Sequence, residues 1–359
     1  MPHLVIDMTM SLVNRTAVHH VSQEIYEIAK GQCKLRYWRL FLPKPIDFTT
    51  YSAISNAGKF LGRLAFHDLD SALTPAWPRS RTRSMLFLEP LFAKKTEIRR
   101  DDIVLCHDIA PITHPEFYSP LAGPSYTKAY RRIQRAAPLM VFVSEFTKTQ
   151  FLERFPADYR RCLVIPLYLK LSLSRQGSDA PRSRPFILMV GTLERRKNYN
   201  MALEAFARSG LPDRGYDLII VGPRGNLSRE LLPLISANDR IKHFGFVSDA
   251  QLKDLYATAT ALFFPSRVEG FGVPALEAPQ SELLPIVGKG TVLEEIVGPD
   301  GIFVDPLSID SMAQGLQRVV SMDDAEKSVR LARIKDYQRR YSLENFRIAW
   351  SKVLLQPTI

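Results

Sequence analysis

"ALFFPSRVEGFGVPALEA", residues 261–278, joins a short apolar run to a glycine-containing loop and then to a helical pattern. The apolar run predicts a buried strand. Gly270 and Gly272 allow the backbone to turn tightly and to approach a ligand, and a helix is expected to begin near Val273. Strand, loop and helix in this order are typical of a parallel sheet that is covered by helices.

The same alternation extends along the whole chain and is interrupted once. The segment "LSLSRQGSDAPRSRP" (171–185) is rich in Ser, Arg and Pro, has no apolar period and therefore predicts a linker. We expect an α/β protein with two doubly wound, Rossmann-like domains over residues 1–170 and 186–340, whose ligand cleft faces the carboxyl ends of the strands. The predicted strands are LVIDM, LRYWRLF, DIVLC, PLMVFVS and CLVIPL in the first domain, and FILMVG, DLIIVG, IKHFGF, ALFFPS, LPIVG and GIFVD in the second. Helices are predicted at 18–30, 125–137 and 146–155, and near 198–209, 227–237, 248–259, 272–281, 291–297 and 308–320.

Length and composition agree with two soluble domains. The chain has 359 residues, of which 46% are hydrophobic and 24% charged. No stretch approaches the roughly 18 to 20 apolar residues of a membrane span, and the first residues do not resemble a signal peptide, so we expect a cytoplasmic protein. Cys33, Cys106 and Cys162 are widely separated and predict neither a disulfide framework nor a zinc site.

Positive charge is concentrated in the first half of the chain. The net charge is +11, and residues 1–170 hold 24 of the 48 Lys and Arg residues but only 15 of the 37 Asp and Glu residues. The main basic runs lie at 78–100 and 126–137. They indicate either a solvated basic face or contact with an anionic partner. Nucleic acid is not expected, because no recognition motif accompanies the charge. The apolar segment "MLFLEPLF" (85–92) between basic runs favours an anionic membrane surface or a phosphate-bearing acceptor.

A candidate anion site follows the first strand of the second half. "FILMVGTLERRKN" (186–198) ends a strand at Gly191 and Thr192, continues with the basic run Arg195–Lys197, and offers Asn198 as a helix cap. Cations at the carboxyl end of a strand can neutralise a diphosphate, although such a run is also common on solvated surfaces.

Two glutamates flank the glycine turn. Glu269 lies in the loop itself, and Glu277 lies about one turn into the following helix, where it can accept hydrogen bonds from sugar hydroxyls. The alternatives are an ordinary charged helix position for Glu277 and a plain turn for the EGFG segment.

In their order and spacing, these motifs resemble the retaining glycosyltransferases of family 4, which have the GT-B fold of two Rossmann-like domains facing a central cleft. The resemblance rests on GTLERRKN (191–198), LIIVGP (218–223), FGFVSDAQLKDLYATATALFFPS (244–266), EGFGVPALE (269–277), GIFVDP (301–306), CHDIAPITHPEFY (106–118) and VSEFTKTQ (143–150).

The resemblance implies a role for each matching residue. Arg196 and Lys197 would hold the donor diphosphate, and Glu277 would bind the ribose hydroxyls. The transferred sugar and its phosphate would contact Glu269 and the backbone of Gly270, Phe271 and Gly272. His107, beside Asp108, would lie against the sugar near the reaction centre. The remaining expected substrate contacts are Asp108, Gly191, Thr192, Phe246 and Val247 (the last two at the nucleobase) and Ala17.

The family resemblance also implies a catalytic strategy and a chain crossing. Cations and backbone amides stabilise the leaving diphosphate, so that neither a metal nor a further cofactor is expected. The last segment, 341–359, would form a helix that crosses back to the first domain and buries Phe346, Trp350 and Leu354.

Two segments depart from the family pattern. In "RTAVHHV" (15–21), Ala17 and His19 replace expected glycines, and His19 and His20 can be either donors to phosphate or helix-surface residues. "APQSELLPIVG" (278–288) replaces a small-residue turn before Thr-Pro.

Rival motifs are weaker. Asp68 and Asp70 in "HDLD" have metal-site spacing but follow a helical pattern, and "VGPRGN" (221–226) lacks the glycine spacing of a nicotinamide site.

We therefore expect a retaining hexosyltransferase. The first hypothesis for its donor is GDP-mannose, and the acceptor would be a saccharide or a lipid-linked molecule in bacterial surface polysaccharide synthesis, such as lipopolysaccharide. Two alternatives remain open: a nucleotide-sugar epimerase of the same fold, and a non-catalytic partner that binds nucleotide-sugar. Peripheral docking on the inner face of the membrane is a further hypothesis.

Overall fold

The computed structural model describes residues 4–12, 17–38, 40–42, 79, 83–169 and 184–355. Contacts divide the chain into two units, one formed by Met1–Leu167 with Leu343–Ile359 and the other by Tyr168–Ser342. Most of the predicted linker, residues 171–183, lies outside the described residues. So do Asp68 and Asp70.

The first unit is built around a largely parallel sheet. In chain order its strands are β1 (Leu4–Asp7), β2 (Cys33–Tyr37), β3 (Leu40–Leu42), β4 (Ser84–Phe87), β5 (Ile103–Cys106), β6 (Leu139–Phe142) and β7 (Arg161–Val164). The order across the sheet is β3-β2-β1-β4-β5-β6-β7, and β3 alone among these described strands runs antiparallel. Its helices before the second unit are α1 (Ala17–Ala29), α2 (Ala110–Thr113), α3 (Ala122–Ala136) and α4 (Glu145–Arg154).

The second unit has a fully parallel sheet. Its strands are β8 (Phe186–Val190), β9 (Asp217–Val221), β10 (Ile241–Phe244), β11 (Ala261–Phe264), β12 (Pro285–Gly288) and β13 (Ile302–Val304), in the order β10-β9-β8-β11-β12-β13. Its helices are α5 (Tyr199–Arg208), α6 (Ser228–Ser236), α7 (Asp249–Thr258), α8 (Val273–Glu277), α9 (Val292–Val297), α10 (Ile309–Ser321) and α11 (Asp324–Gln338). The α/β prediction with parallel sheets is confirmed.

The last helix, α12 (Leu343–Leu355), is part of the first unit, where it contacts α1. Phe346, Trp350 and Leu354 recur at helical spacing and are buried, as that spacing predicts. Arg347 adds a hydrogen bond at 2.5 Å from its Nε to Glu24 of α1.

Two interpretations in the first half were wrong. "LRYWRLF" forms two strands, because Trp38, at a φ of 53°, turns the chain between β2 and β3. "MLFLEPLF" (85–92) contains most of the unpredicted strand β4, and Met85, Leu86 and Phe87 are fully buried between β1 and β5. This segment is core, and it therefore presents no apolar surface to a membrane.

The strand order locates the ligand-binding edge of each sheet. In the second unit, β8 is followed outward by β9 and β10, and the chain then returns to place β11 on the other side of β8. The same reversal occurs between β1 and β4 in the first unit. In open parallel sheets, ligands bind beyond the carboxyl ends of the strands at such a reversal.

Candidate active site

A cluster of charged side chains lies at the reversal point of the second sheet. The loop after β8 carries Arg196 and Lys197 in a short 3₁₀ turn, and the loop after β11 carries Glu269. The two loops are also joined through the backbone, since the amide of Arg267 donates to the carbonyl oxygen of Arg196 at 2.9 Å. Residues more than seventy positions apart in sequence thus meet at one edge of the sheet.

Glu269 holds both cations. Its Oε1 accepts a hydrogen bond from Lys197 Nζ at 2.5 Å, and its Oε2 accepts one from Arg196 Nη1 at 2.7 Å. Arg196 also donates from Nε to Glu194 Oε2 at 2.7 Å. The guanidinium is therefore held between two carboxylates.

Burial makes these charges interact strongly. The side chains of Lys197 and Glu269 are 9% and 6% exposed. Burial by itself raises the pKa of Glu269, but Lys197 and Arg196 outweigh it and lower that pKa to about 2. Burial lowers the pKa of Lys197, against the opposing effect of Glu269. The ring of Phe264 lies under the ammonium, 4.5 Å from Nζ to the ring centroid, and adds a cation–π contact.

Asn198 braces the strand ends around this cluster. It occupies the residue before α5 as predicted, but with a left-handed φ of 65° and without capping the helix through its side chain. Its Nδ2 instead donates to the carbonyl oxygens of Pro306 at 2.7 Å and of Pro265 at 3.2 Å. The prediction of a side-chain cap was wrong, because the amide ties the loops after β11 and β13 to the loop after β8.

Glycine is required where the loops approach one another. Gly272 has a φ of 95°, and a Cβ at this position would lie 2.3 Å from Leu293 Cδ2. At Gly222 a Cβ would lie 2.2 Å from the carbonyl oxygen of Gly191. Gly191 and the adjacent Thr192 thus lie directly against the loop after β9, and the Gly191 carbonyl also accepts a hydrogen bond from Tyr199 at 2.7 Å.

The second glutamate of the motif has a different environment. Glu277, the last residue of α8, is buried and its Oε2 accepts a hydrogen bond from the Tyr256 hydroxyl at 3.0 Å. The hydroxyl fixes the carboxylate while the tyrosine remains protonated, since burial raises the pKa of Tyr256 well above its ordinary value. Glu277 is thus a positioned acceptor rather than an ordinary surface position.

The loop after β10 and the centre of the EGFG segment differ in exposure. Phe246 is 90% exposed, whereas Val247 packs against the core of the second unit. Phe271 is buried, and its ring meets that of Tyr341 edge to face at 5.5 Å between centroids. Phe271 can therefore offer its backbone, but not its side chain, to a ligand.

The predicted residues of the first half lie in the first unit. His107 follows β5, and its Nε2 is 3.2 Å from the carbonyl oxygen of Leu88. Burial lowers the pKa of His107 to about 4, so its imidazole is neutral near pH 7. Asp108 Oδ1 accepts a hydrogen bond from the amide of Ala110 at 2.9 Å. The Asp108 carbonyl accepts one from Tyr130, also at 2.9 Å.

The segment RTAVHHV (15–21), which departs from the family pattern, leads into α1. Ala17 is the first residue of this helix, but its side chain lies outside the described residues. His19 and His20 are half-buried on α1, and their rings meet edge to face at 5.5 Å between centroids.

Glu89 is a residue that the sequence pattern did not indicate. It follows β4 at the reversal point of the first sheet and is buried. Burial raises its pKa to about 7, helped by the nearby Asp108 and opposed by hydrogen bonds from the Leu91 amide and from Tyr126. The signal was available in principle, because Glu89 is an acid directly after an apolar run, but that run had not been interpreted as a strand.

Across the described part of the chain, no group of three or more His, Cys, Asp or Glu residues has the arrangement of a metal site.

Solved structures show the class to which this architecture belongs. The structure of Anabaena Alr3699/HepE in complex with UDP and glucose superposes with a TM-score of 0.70, over 99% of this chain and 100% of that chain, at 14% sequence identity. With two parallel sheets of this strand order, the likeness defines the fold as GT-B, the fold of a large class of glycosyltransferases.

The family follows from the sequence comparisons. Residues 172–336 match the family Glycosyl transferases group 1 and form a domain of that family, so the chain is a glycosyltransferase. Over 94% of its length it is 28% identical to O-antigen chain mannosyltransferase B of Escherichia coli, 92% of which is covered. Over 69% of its length it is 25% identical to O-antigen chain mannosyltransferase RfbU of Salmonella typhimurium, 67% of which is covered.

Proposed function

We propose that this glycosyltransferase is a retaining hexosyltransferase that moves mannose from GDP-mannose to a saccharide or lipid-linked acceptor in bacterial surface polysaccharide synthesis. Both curated relatives named above are O-antigen chain mannosyltransferases, which supports the sugar and the setting. The observation that carries the proposal is the cluster of Arg196 with the buried Lys197 and Glu269 at the reversal point of the second sheet.

The charges of this cluster suit the departure of a nucleoside diphosphate. When the bond between sugar and phosphate breaks, negative charge develops on the phosphate oxygens. Arg196 and Lys197 are already oriented at the strand ends, so they stabilise that charge without reorganising. The backbone of Gly270–Gly272 would approach the same phosphate.

Glu269 has an electrostatic role in this proposal. With a pKa of about 2, it stays ionised throughout the neutral pH range and cannot act as a proton donor. It orients the two cations and accepts hydrogen bonds from hydroxyls of the transferred sugar. The neutral imidazole of His107 would contribute a further hydrogen bond to the sugar.

The nucleoside would be held by two features of the second unit. Glu277, fixed by Tyr256, accepts hydrogen bonds from the ribose hydroxyls. Phe246 and Val247 would contact the nucleobase, for which the 90% exposed ring of Phe246 is available as a stacking surface.

Docking on an anionic membrane would rest on charge alone. On α3, Lys128, Arg131 and Arg135 are exposed and recur at helical spacing, so they share one face. By contrast, Lys94 and Lys95 of the other basic run are buried. Among the described helices, none combines the length and apolar character needed to traverse a bilayer.

We expect binding to vesicles that contain anionic lipid to fall with added salt and with Arg131→Gln and Arg135→Gln. Equal binding to neutral vesicles would contradict this.

The proposal is tested by incubating the protein with a panel of nucleotide-sugars and with saccharide and lipid-linked acceptors. We expect transfer from GDP-mannose, with the anomeric configuration retained when the product is examined by NMR. Appearance of an epimer would instead indicate an epimerase, and binding without turnover would indicate a non-catalytic protein. Transfer should survive EDTA. If EDTA abolished transfer and magnesium or manganese restored it, the roles given to Arg196 and Lys197 would be wrong.

A further inference from the structure

Glu194 is a charged residue of the cluster that the proposed reaction does not use. Its carboxylate accepts a hydrogen bond from Arg196 Nε at 2.7 Å, while Glu269 accepts one from Nη1 of the same guanidinium at 2.7 Å. Together with Lys197, these residues form a group of two cations and two carboxylates with no net charge. A diphosphate that approaches the cluster therefore meets cations that already have anionic partners.

A diphosphate can bind Arg196 bidentately through its Nε edge only if the ion pair with Glu194 opens. On the other side of the guanidinium, Nη1 already donates to Glu269 and, at 3.3 Å, to the carbonyl oxygen of Val268. Glu269 is the harder partner to displace, because its side chain is 6% exposed and receives hydrogen bonds from both cations. The Glu194 side chain is 31% exposed and meets Arg196 at the side of the guanidinium that carries Nε. Water can solvate a released Glu194 carboxylate more readily than a released Glu269 carboxylate.

The backbone of Glu194 is hydrogen-bonded at both its amide and its carbonyl. Its amide donates to the carbonyl oxygen of Thr192 at 2.7 Å, and its carbonyl accepts from the amide of Lys197 at 3.0 Å. Rotation of the side chain would release the Nε edge of Arg196 without disturbing the turn that carries Arg196 and Lys197.

We propose that Glu194 competes with the diphosphate for Arg196. It holds the guanidinium in its binding orientation when the site is empty, yields it when the donor enters, and returns to it as the nucleoside diphosphate leaves. The carboxylate thereby weakens diphosphate binding and speeds product release. This inference rests on the proposed function, since it requires the donor diphosphate to bind at Arg196.

The test uses inorganic pyrophosphate as the probe and Glu194→Gln as the variant, which keeps the shape of the side chain but removes its charge. We expect pyrophosphate to bind the variant about three- to tenfold more tightly than wild type in titration calorimetry, as removal of a partly exposed like charge allows. Glu194→Ala should shift the affinity in the same direction. Glu230→Gln is the matched control, because Glu230 pairs with the neighbouring Arg195 instead, and it should bind as wild type does.

Two outcomes separate this inference from the proposed function. If wild type bound pyrophosphate no better than Arg196→Ala, the diphosphate site itself would be wrong, and the inference would be overturned with it. If wild-type binding depended on Arg196 but both Glu194 variants bound pyrophosphate equally well or more weakly, only the competition would be refuted. In transfer assays, inhibition by the nucleoside diphosphate product should become correspondingly stronger in Glu194→Gln.

Discussion

Lys197→Ala should lower turnover much more than it weakens donor binding, and this difference should be larger than for other changes in the site. The ammonium contacts Glu269 at 2.5 Å and lies 4.5 Å from the centroid of the Phe264 ring, so it is held where charge would develop on the leaving diphosphate. Losing a fixed electrostatic contact of this kind costs about 2.7 to 4 kcal/mol of transition-state stabilisation, or about 10²- to 10³-fold in kcat. Donor KM should change much less, because Arg196 remains.

The same substitution should also destabilise the second unit. It removes one of the two cations from Glu269, a carboxylate that is 6% exposed, and breaking a buried ion pair costs about 3 to 5 kcal/mol. Since Arg196 keeps its hydrogen bond to Glu269, we expect about 3 kcal/mol, which lowers Tm by about 6 to 12 °C for a unit of this size. Kinetics must therefore be measured well below the transition.

A second buried carboxylate supplies the matched control. Lys242 pairs with Asp217 at 2.9 Å, and the Asp217 side chain is likewise 6% exposed. Asp217 begins β9, however, so it lies at the amino ends of the strands and not at the carboxyl ends, where the cluster is. Because Lys242 is 51% exposed and Arg240 also pairs with Asp217, Lys242→Ala should lower Tm less than Lys197→Ala does, while leaving kcat near the wild-type value. The reasoning fails if folded Lys197→Ala retains kcat within about threefold of wild type, or if Lys242→Ala loses as much kcat as Lys197→Ala does.

Three further predictions concern separate parts of the molecule. Glu277→Ala should mainly raise the donor KM with little change in kcat, because the ribose contact is equal in ground and transition states; a loss confined to kcat would contradict this. Glu89 ionises near its ordinary pKa of 4.5 when unfolded but at about 7 when folded, so its contribution to stability is lost as pH rises through this window. Glu89→Gln should therefore be about 3 kcal/mol more stable than wild type at pH 8 and equal to it at pH 4, and denaturant unfolding at both values checks this. Trp350→Ala should cost about 3 to 5 kcal/mol and raise hydrogen exchange in α1, whereas Ile348→Ala, at a position 46% exposed, should do neither.

The sequence predicted the second unit better than the first, for a physical reason. Strands such as β9 and β11 are continuous apolar runs between loop signals, which is the pattern of a strand buried on both faces. Strand β4 has the same burial, but its apolar run continues through Glu89 into a buried 3₁₀ turn and lies between basic runs, so it was interpreted as a surface segment. Helix α11 was also missed; its many charged residues obscured the few buried positions that dock it.

Residue types in the candidate site were predictable, but their pairings were not. The basic run at 195–197 and the motif around Glu269 each indicated an anion or sugar site. That Glu269 would hold both Arg196 and Lys197 depends on loops joined only by the folded sheet. Asn198 shows the same limit, because its residue type predicts a cap while its backbone φ of 65° directs the amide elsewhere.

The amide of Asn198 has a consequence for engineering. The Asn198 side chain lies after β8 and donates to carbonyl oxygens in the loops after β11 and β13, so the relative positions of these three loops depend on one another. A chimera that imported one of these loops from a relative to change its sugar preference would displace either the Asn198 donor or one of its two acceptor carbonyls. The three loops should therefore be exchanged as a set.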